Sequence, residues 1–398
     1  MITSVAIIGS TGSIGTQALE VIDGRRGQFS VTALAAAGTQ PRELARQAIH
    51  FGVETLAVTH ATAAQDVQLA LYAEAQHRGW NRGDQRLPRL ITGQDAATQV
   101  AAGSADVVLN AAAGAAGLPV TLAALDAGSR LALANKESLI IGGTLVTDKA
   151  APGQIIPVDS EHSALAQALR GEKPGDIRRL VLTASGGPFH GYSRAELRDV
   201  TPQQALNHPT WDMGDLVTIN SATLVNKGLE VIEAHLLFGI GYDNIDVVVH
   251  PSSIVHSMVE FVDGATIAQA SPPDMRLPIA LALAWPDRVE GAAPGCDWTS
   301  ATSWQFAPLD ESAFPAVALA RRAGSFGRTG PAVFNAANEV CVNAFLSGQL
   351  AFLGIVDTVS AVLAEHMADP VVVTRELTMD AVVGADSWAR ERAQEIAA

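Results

Sequence analysis

Along the first 150 positions, apolar residues fall in short compact runs separated by stretches with helical spacing. Val5-Ala-Ile-Ile8 is the kind of run a fully buried strand shows, and positions 16–22 space their apolar residues as a helix does. Ser30-Val-Thr-Ala-Leu34 predicts a second strand and Pro41–Phe51 a second helix. Thr55-Leu-Ala-Val58, Asp106-Val-Val-Leu109 and Arg130-Leu-Ala-Leu-Ala134 continue the alternation. Strand, helix, strand at this spacing implies right-handed crossovers and a mostly parallel sheet covered on both faces. Residues 1–150 are therefore expected to form the N-terminal Rossmann-like domain of an α/β protein.

From Ala151 the pattern changes. Histidines gather (His162, His190, His208, His235, His250, His256), and strands such as Leu180-Val-Leu-Thr183 and Asp246-Val-Val-Val-His250 flank a long amphipathic helical stretch over 220–238. Residues 151–285 predict a central α+β domain that carries the chemistry and dimerises. A flexible lid is expected over about 186–214, Gly-rich at one end and aromatic at Trp211; a packed structural loop is the plainer account of the same stretch. Pro286, Pro294, Gly295 and Pro308 mark 286–311 as a linker. Residues 312–398 read as a C-terminal helical domain.

Composition narrows the function. A chain of 398 residues has room for two or three domains. Its net charge of −15 argues against nucleic acid or an anionic membrane as partner, since either wants a basic face. An anionic substrate must then be held by a few local cations, donors or a metal. Cys296 and Cys341 are too few for a disulfide framework or a zinc site, which fits a reducing compartment. No Lys or Arg precedes the first apolar run, and the apolar stretch 107–134 is broken by Asn110, Pro119, Asp126 and Arg130. Neither a signal peptide nor a membrane span is expected, and the expected location is the cytoplasm.

Gly9-Ser-Thr-Gly12-Ser-Ile-Gly15 follows the first strand and opens a helix. Glycines there let the backbone turn tightly and approach a pyrophosphate, whose charge sits on the helix N-terminus. An NAD site wants an acid after the second strand, but the chain reads Ala35-Ala-Ala-Gly38-Thr39-Gln40. The gap favours NADP, with Thr39, Gln40 or backbone amides at the 2′-phosphate and Arg42 the nearest cation.

Three further segments carry candidate chemistry. Asn135-Lys136-Glu137-Ser138 lies at the C-terminal end of an expected parallel strand, the edge where ligands bind; alone it reads more plainly as a polar cap on the next helix. In extended chain, Asp159 and Glu161 of Pro157-Val-Asp-Ser160-Glu-His162 point to one side and can converge on a cation. Oxygen ligands suit Mg²⁺ or Mn²⁺, although an acidic turn at a helix start would look the same. In Asn226-Lys227-Gly228-Leu-Glu230, helical spacing crowds Asn226, Lys227 and Glu230 on one face. An ion pair accounts for Lys227 and Glu230 but not for Gly228, which weakens a helix by about 1 kcal/mol unless something approaches closely. A third metal carboxylate beside a phosphate-binding Lys and Asn is the sharper reading.

Taken in order with Ser185-Gly-Gly-Pro-Phe189, His208-Pro-Thr-Trp-Asp-Met-Gly214, His250-Pro-Ser-Ser-Ile-Val-His256, Pro273-Asp-Met-Arg276 and Asn335-Ala-Ala-Asn-Glu339, these segments resemble the 1-deoxy-D-xylulose 5-phosphate reductoisomerase family over nearly the whole chain. The resemblance implies a homodimeric enzyme of isoprenoid precursor synthesis that uses NADPH and Mn²⁺ or Mg²⁺, with Co²⁺ as a substitute. It implies nucleotide contacts from Gly9, Thr11, Gly12, Ser13, Ile14, Gly38, Thr39, Gln40, Asn135, Glu137 and Gly214. Asp159, Glu161 and Glu230 would hold the metal. Lys136, Ser160, Ser185, His208, Ser221, Asn226 and Lys227 would contact the sugar phosphate, with Trp211 on the lid; Lys136 and His208 join the metal carboxylates as catalytic residues. At Gly38-Thr39-Gln40 the chain departs from the family, where a basic or Asn-containing pair is common, so a weaker NADPH preference is expected. Two rivals remain: another Rossmann-type NADP-dependent aldehyde or semialdehyde oxidoreductase, and a non-catalytic NADPH-binding sensor.

Overall fold

The computed structural model describes residues 2–80, 87–211, 213–374 and 376–397. They divide into two compact units: Met1–Ser138 with Asp148–Asp159 and Asp274–Ala293, and Leu139–Thr147 with Ser160–Pro273 and Pro294–Ala398.

The first unit holds a seven-stranded sheet of β1 (Thr3–Ile8), β2 (Phe29–Ala36), β3 (Thr55–Val58), β4 (Arg89–Thr92), β5 (Val107–Asn110), β6 (Arg130–Leu133) and β7 (Ile155–Pro157), in the order β4-β3-β2-β1-β5-β6-β7. All six pairings are parallel. Strands such as β5 are buried along their whole length, which is why they read as unbroken apolar runs. Strand order reverses at β1, so β1 and β5 flank the switch point where open α/β sheets bind ligands.

The second unit is built on a five-stranded mixed sheet of β8 (Ile177–Ala184), β9 (Ile245–Val249), β10 (Val255–Phe261), β11 (Thr266–Ala270) and β12 (Ala307–Pro308), in the order β11-β10-β8-β9-β12. Its core continues from the sheet into the C-terminal helices Ala316–Phe326, Gly330–Leu346, Phe352–Ala368 and Met379–Ala397. Leu180, Leu229, Phe334 and Leu363 belong to one apolar cluster, so the α+β region and the helical region share a core.

This division differs from the expected boundaries at 150 and 285. β7, placed in the central domain from sequence, pairs with β6 and completes the first sheet. The Arg276–Ala284 helix, also placed there, buries Ile279, Ala280, Ala282 and Leu283 in the core of the first unit. The expected linker 286–311 is largely irregular but contributes β12 to the second sheet. The stretch 220–238 is not one helix. Helices Asp215–Ala222 and Val225–Phe238 are separated at Leu224, which takes φ 59°. Within the expected lid, Phe189, Leu197, Val200 and Ala205 are anchored in the core, which leaves 207–211 and 213–214 as its loosely packed described part. Both cysteines are free thiols, Cys341 buried and Cys296 partly exposed. Among the described residues no helix is long and apolar enough to cross a membrane.

Candidate active site

In the first unit the Gly-rich loop leaves β1 at the switch point. Gly9 has φ +83°, and a Cβ there would lie 2.2 Å from the Ala111 carbonyl oxygen, just beyond β5. A Cβ on Gly15 would lie 2.3 Å from the Gly9 carbonyl, so the helix can start only by closing onto its own loop. Gly12 caps the Ser13–Asp23 helix with no side-chain hydrogen bond. The first N–H groups of that helix therefore have no capping side chain and suit an anion. Thr11, Gly12, Ser13 and Ile14 form the accessible rim of this turn. Gly38, at φ +92°, turns the chain after β2, and Thr39 and Gln40 beyond it are exposed.

Asn135 is buried and works as a fastener. Its Nδ2 donates to the Gly114 carbonyl at 3.0 Å and to Glu137 Oε2 at 2.9 Å, while its Oδ1 accepts from the Ser138 N–H at 3.2 Å. The last bond is a helix cap, as the plainer reading of this segment held. Beside it Lys136 Nζ meets Asp159 Oδ2 at 2.5 Å, with both side chains 12% exposed.

The second unit carries the remaining candidates. The extended geometry expected at 159–161 does not form: Ser160 opens the Ser160–Ala168 helix, which places Glu161 on its first turn. Ser160 Oγ donates to Glu161 Oε2. From the Val225–Phe238 helix, Lys227 Nζ reaches Glu161 Oε1 at 2.6 Å and also contacts Glu230, while Asn226 Nδ2 donates to Glu230 Oε1. Burial alone would push the Lys227 ammonium down, but the carboxylates of Glu161 and Glu230 override it and hold its pKa above the ordinary lysine value. Asn226 and Lys227, expected at a phosphate, are here committed to these carboxylates.

Oxygens of Glu161 and Glu230 lie within 4.8 Å of each other, with Glu230 1% exposed and an ammonium against both. Two carboxylates this close need a cation beside them, which the Lys227 ammonium supplies here, and their all-oxygen donor set also fits Mg²⁺ or Mn²⁺.

A third group gathers around His208. Its Nδ1 accepts the backbone N–H of Thr210 at 3.1 Å and of Trp211 at 2.9 Å. The ring proton therefore sits on Nε2, which faces Ser185 Oγ at 3.0 Å and Ser221 Oγ at 3.1 Å. Burial pushes the imidazole pKa below its usual value, which favours this neutral form. Trp211 lies edge-on to His256 at 6.2 Å, and Gly214 caps the Asp215–Ala222 helix that carries Ser221. Asp212, part of the quoted motif, lies outside the described residues.

Two residues outside the expected set brace the carboxylates. His162, fully buried, donates from Nε2 to the Glu230 carbonyl at 2.9 Å, and its Nδ1 lies 3.2 Å from Glu233 Oε2. The helical spacing of Glu233 from Glu230 was the available signal, but only the fold shows that both turn inward.

Gly228 has a structural explanation rather than a ligand-binding one. A Cβ there would lie 2.7 Å from the Ala320 Cβ and 3.1 Å from the Ala316 carbonyl oxygen, so the Val225–Phe238 and Ala316–Phe326 helices touch at this point. Overpacking costs about 1–3 kcal/mol against about 1 kcal/mol gained in helix propensity, so Gly228→Ala should lose up to about 2 kcal/mol of stability. Urea unfolding checks this; a variant as stable as the native protein would mean the helices part freely.

A glycine-rich loop at the switch point of a parallel sheet, together with a separate cluster of buried carboxylates, marks a nicotinamide-nucleotide oxidoreductase assisted by a metal. Comparison with known proteins makes this specific. Residues 5–143 match the 1-deoxy-D-xylulose 5-phosphate reductoisomerase family model, and 155–238 and 270–392 match models of C-terminal domains of the same enzyme. The chain is 59% identical to 1-deoxy-D-xylulose 5-phosphate reductoisomerase of Cutibacterium acnes, covering 99% of this chain and 98% of that one. It is 60% identical to that of Kitasatospora griseola, covering 99% and 100%. The solved Zymomonas mobilis enzyme in complex with NADPH superposes with a TM-score of 0.89 at 36% identity, over 100% of this chain and 99% of the other. A DOX-P reductoisomerase in complex with NADPH, fosmidomycin and magnesium gives 0.88 at 34% identity, over 100% and 98%. The chain belongs to the 1-deoxy-D-xylulose 5-phosphate reductoisomerase family.

Proposed function

We propose that this chain isomerises 1-deoxy-D-xylulose 5-phosphate and reduces the product with NADPH, yielding 2-C-methyl-D-erythritol 4-phosphate for isoprenoid precursor synthesis. The observation that carries this reading is the close pair of carboxylates, Glu230 buried and Glu161 partly buried, with an ammonium against both. A simple aldehyde reductase has no use for it.

Asp159, Glu161 and Glu230 would hold Mn²⁺ or Mg²⁺, which when bound polarises the substrate ketone and its neighbouring hydroxyl. Lys136, paired with Asp159, and Ser160, bonded to Glu161, orient these carboxylates and reach the sugar hydroxyls. Ser185, His208 and Ser221 receive the phosphate, with the Nε2 proton of His208 as one donor, and Asn226 and Lys227 join them once metal takes their place at Glu161 and Glu230. Binding energy from that remote phosphate draws the 207–211 stretch with Trp211 over the substrate and excludes water. Gly9, Thr11, Gly12, Ser13 and Ile14 present the helix N-terminus to the nucleotide pyrophosphate. Gly38, Thr39 and Gln40 take the 2′-phosphate, and Asn135, Glu137 and Gly214 complete the nucleotide contacts. In this reading residues 1–150 serve the nucleotide and 151–285 the substrate.

We read the protein as a cytoplasmic homodimer. The open edge of β11 supports the dimer, because it presents unpaired backbone groups and an exposed Ile267, which a second copy would cover.

The test follows NADPH absorbance on addition of the deoxyxylulose phosphate, with and without Mn²⁺. Oxidation that needs both the substrate and the metal is expected. Binding of NADPH without turnover would favour a sensor, and metal-independent reduction of simple aldehydes a different reductase.

A further inference from the structure

Gln47 lies in the Pro41–Phe51 helix and is 2% exposed. An amide buried to this degree needs partners for two N–H groups and a carbonyl. Its Nε2 donates to the Ser10 backbone carbonyl at 3.0 Å and to Glu43 Oε1 at 3.1 Å. Both partners accept, so the amide orientation is fixed; flipped, its oxygen would face two oxygens. Its own Oε1 is buried with no hydrogen-bond partner among the described residues. A methionine of the same shape would fill this space without that desolvation cost, so the amide is there for its two donors.

Those donors join two parts of the nucleotide site. Ser10 belongs to the Gly-rich loop, and Glu43 is the acid in the first turn of the helix that begins just after Gln40. The Arg46 guanidinium clasps Glu43 at 2.8 and 2.6 Å, and with Gln47 it holds the Glu43 carboxyl below its usual pKa, hence ionised. An ionised acid near this end of the second strand would accept ribose hydroxyls and repel a 2′-phosphate if it were not held back.

We propose that Gln47 is a specificity-positioning residue. It fixes the head of this helix against the Gly-rich loop and adds a donor to the Glu43 carboxylate that Arg46 clasps, so that the site favours a 2′-phosphorylated nicotinamide nucleotide. The inference rests on the NADPH reading above. Only a ligand that engages both loop and helix head senses their separation. NADPH would do so through its pyrophosphate and 2′-phosphate, whereas NADH would engage the loop alone.

Calorimetric titration of each nucleotide, without substrate or metal, tests this. Gln47→Met keeps the volume and removes both donors. The NADPH Kd should rise about tenfold while the NADH Kd stays within about threefold or falls. Where the Met variant does not fold, Gln47→Asn, one methylene too short for the span, carries the same expectation. Equal weakening of both nucleotides, or no change in either, overturns the proposal. A native protein that binds NADH as tightly as NADPH overturns the nucleotide reading and this inference with it; a native preference that survives Gln47→Met overturns the inference alone.

Discussion

Chelation by EDTA is expected to abolish turnover, and Mn²⁺, Mg²⁺ or Co²⁺ to restore it. Glu230→Gln is expected to cost at least about 100-fold in kcat even at saturating metal, because substrate oxygens lose their polarising cation. The substitution keeps shape and removes charge. Glu230 is 1% exposed, and its carboxylate meets Asn226 and Lys227, so a neutral amide there leaves Lys227 with Glu161 alone. The expected kinetic signature is a fall in kcat with little change in the NADPH KM, since the Gly-rich loop is built from other residues. Full activity in chelator, or a Glu230→Gln enzyme within a few-fold of native, would remove the metal from the reaction.

Lys227→Met should lower the thermal midpoint of the metal-free protein and tighten Mn²⁺ binding at the same time. Lys227 is 4% exposed and its ammonium neutralises Glu161 and Glu230. Removing one partner of a buried ion pair costs about 3–5 kcal/mol because the remaining charge is left without compensation. A divalent cation supplies that compensation, so Mn²⁺ should stabilise the variant more than the native protein, where the ammonium competes for the same oxygens. Substrate affinity should fall by about 10- to 150-fold if the ammonium turns to the phosphate when metal is bound. Calorimetric titration of Mn²⁺ and the substrate KM separate these effects. An unchanged midpoint with an unchanged Mn²⁺ affinity would mean that the pair contributes nothing.

The strand and helix that frame the Gly-rich turn were largely legible. The strand, Gly-rich turn and helix at 5–22 is a local pattern, and the lack of an acid after β2 is visible in the six residues 35–40. The carboxylate side was legible only as a set of names. Sequence spacing put Asn226, Lys227 and Glu230 on one helical face, and the structure keeps them there. It did not show Ser160 opening a helix, because an N-cap serine and an extended one look alike without their neighbours. Nor did it show that Lys227 pairs with Glu161 across 66 positions. Gly228 drew attention for a sound reason, a helix-weakening residue in a helix, but the close approach is by Ala316 and Ala320.

What the sequence determined by itself is therefore what neighbours within one or two helical turns decide: the alternating strands and helices, the glycine turn, and which residue types are available to hold an anion or a hard cation. What only the tertiary structure decided is where distant apolar faces meet. The Arg276–Ala284 helix joins the first unit and the C-terminal helices join the core of the second because burying their apolar faces outweighs chain order. The roles of Gln47, His162 and Glu233 were not decided by sequence for the same reason. A polar side chain gains its role only after burial removes water and leaves a distant partner as the place for its hydrogen bond.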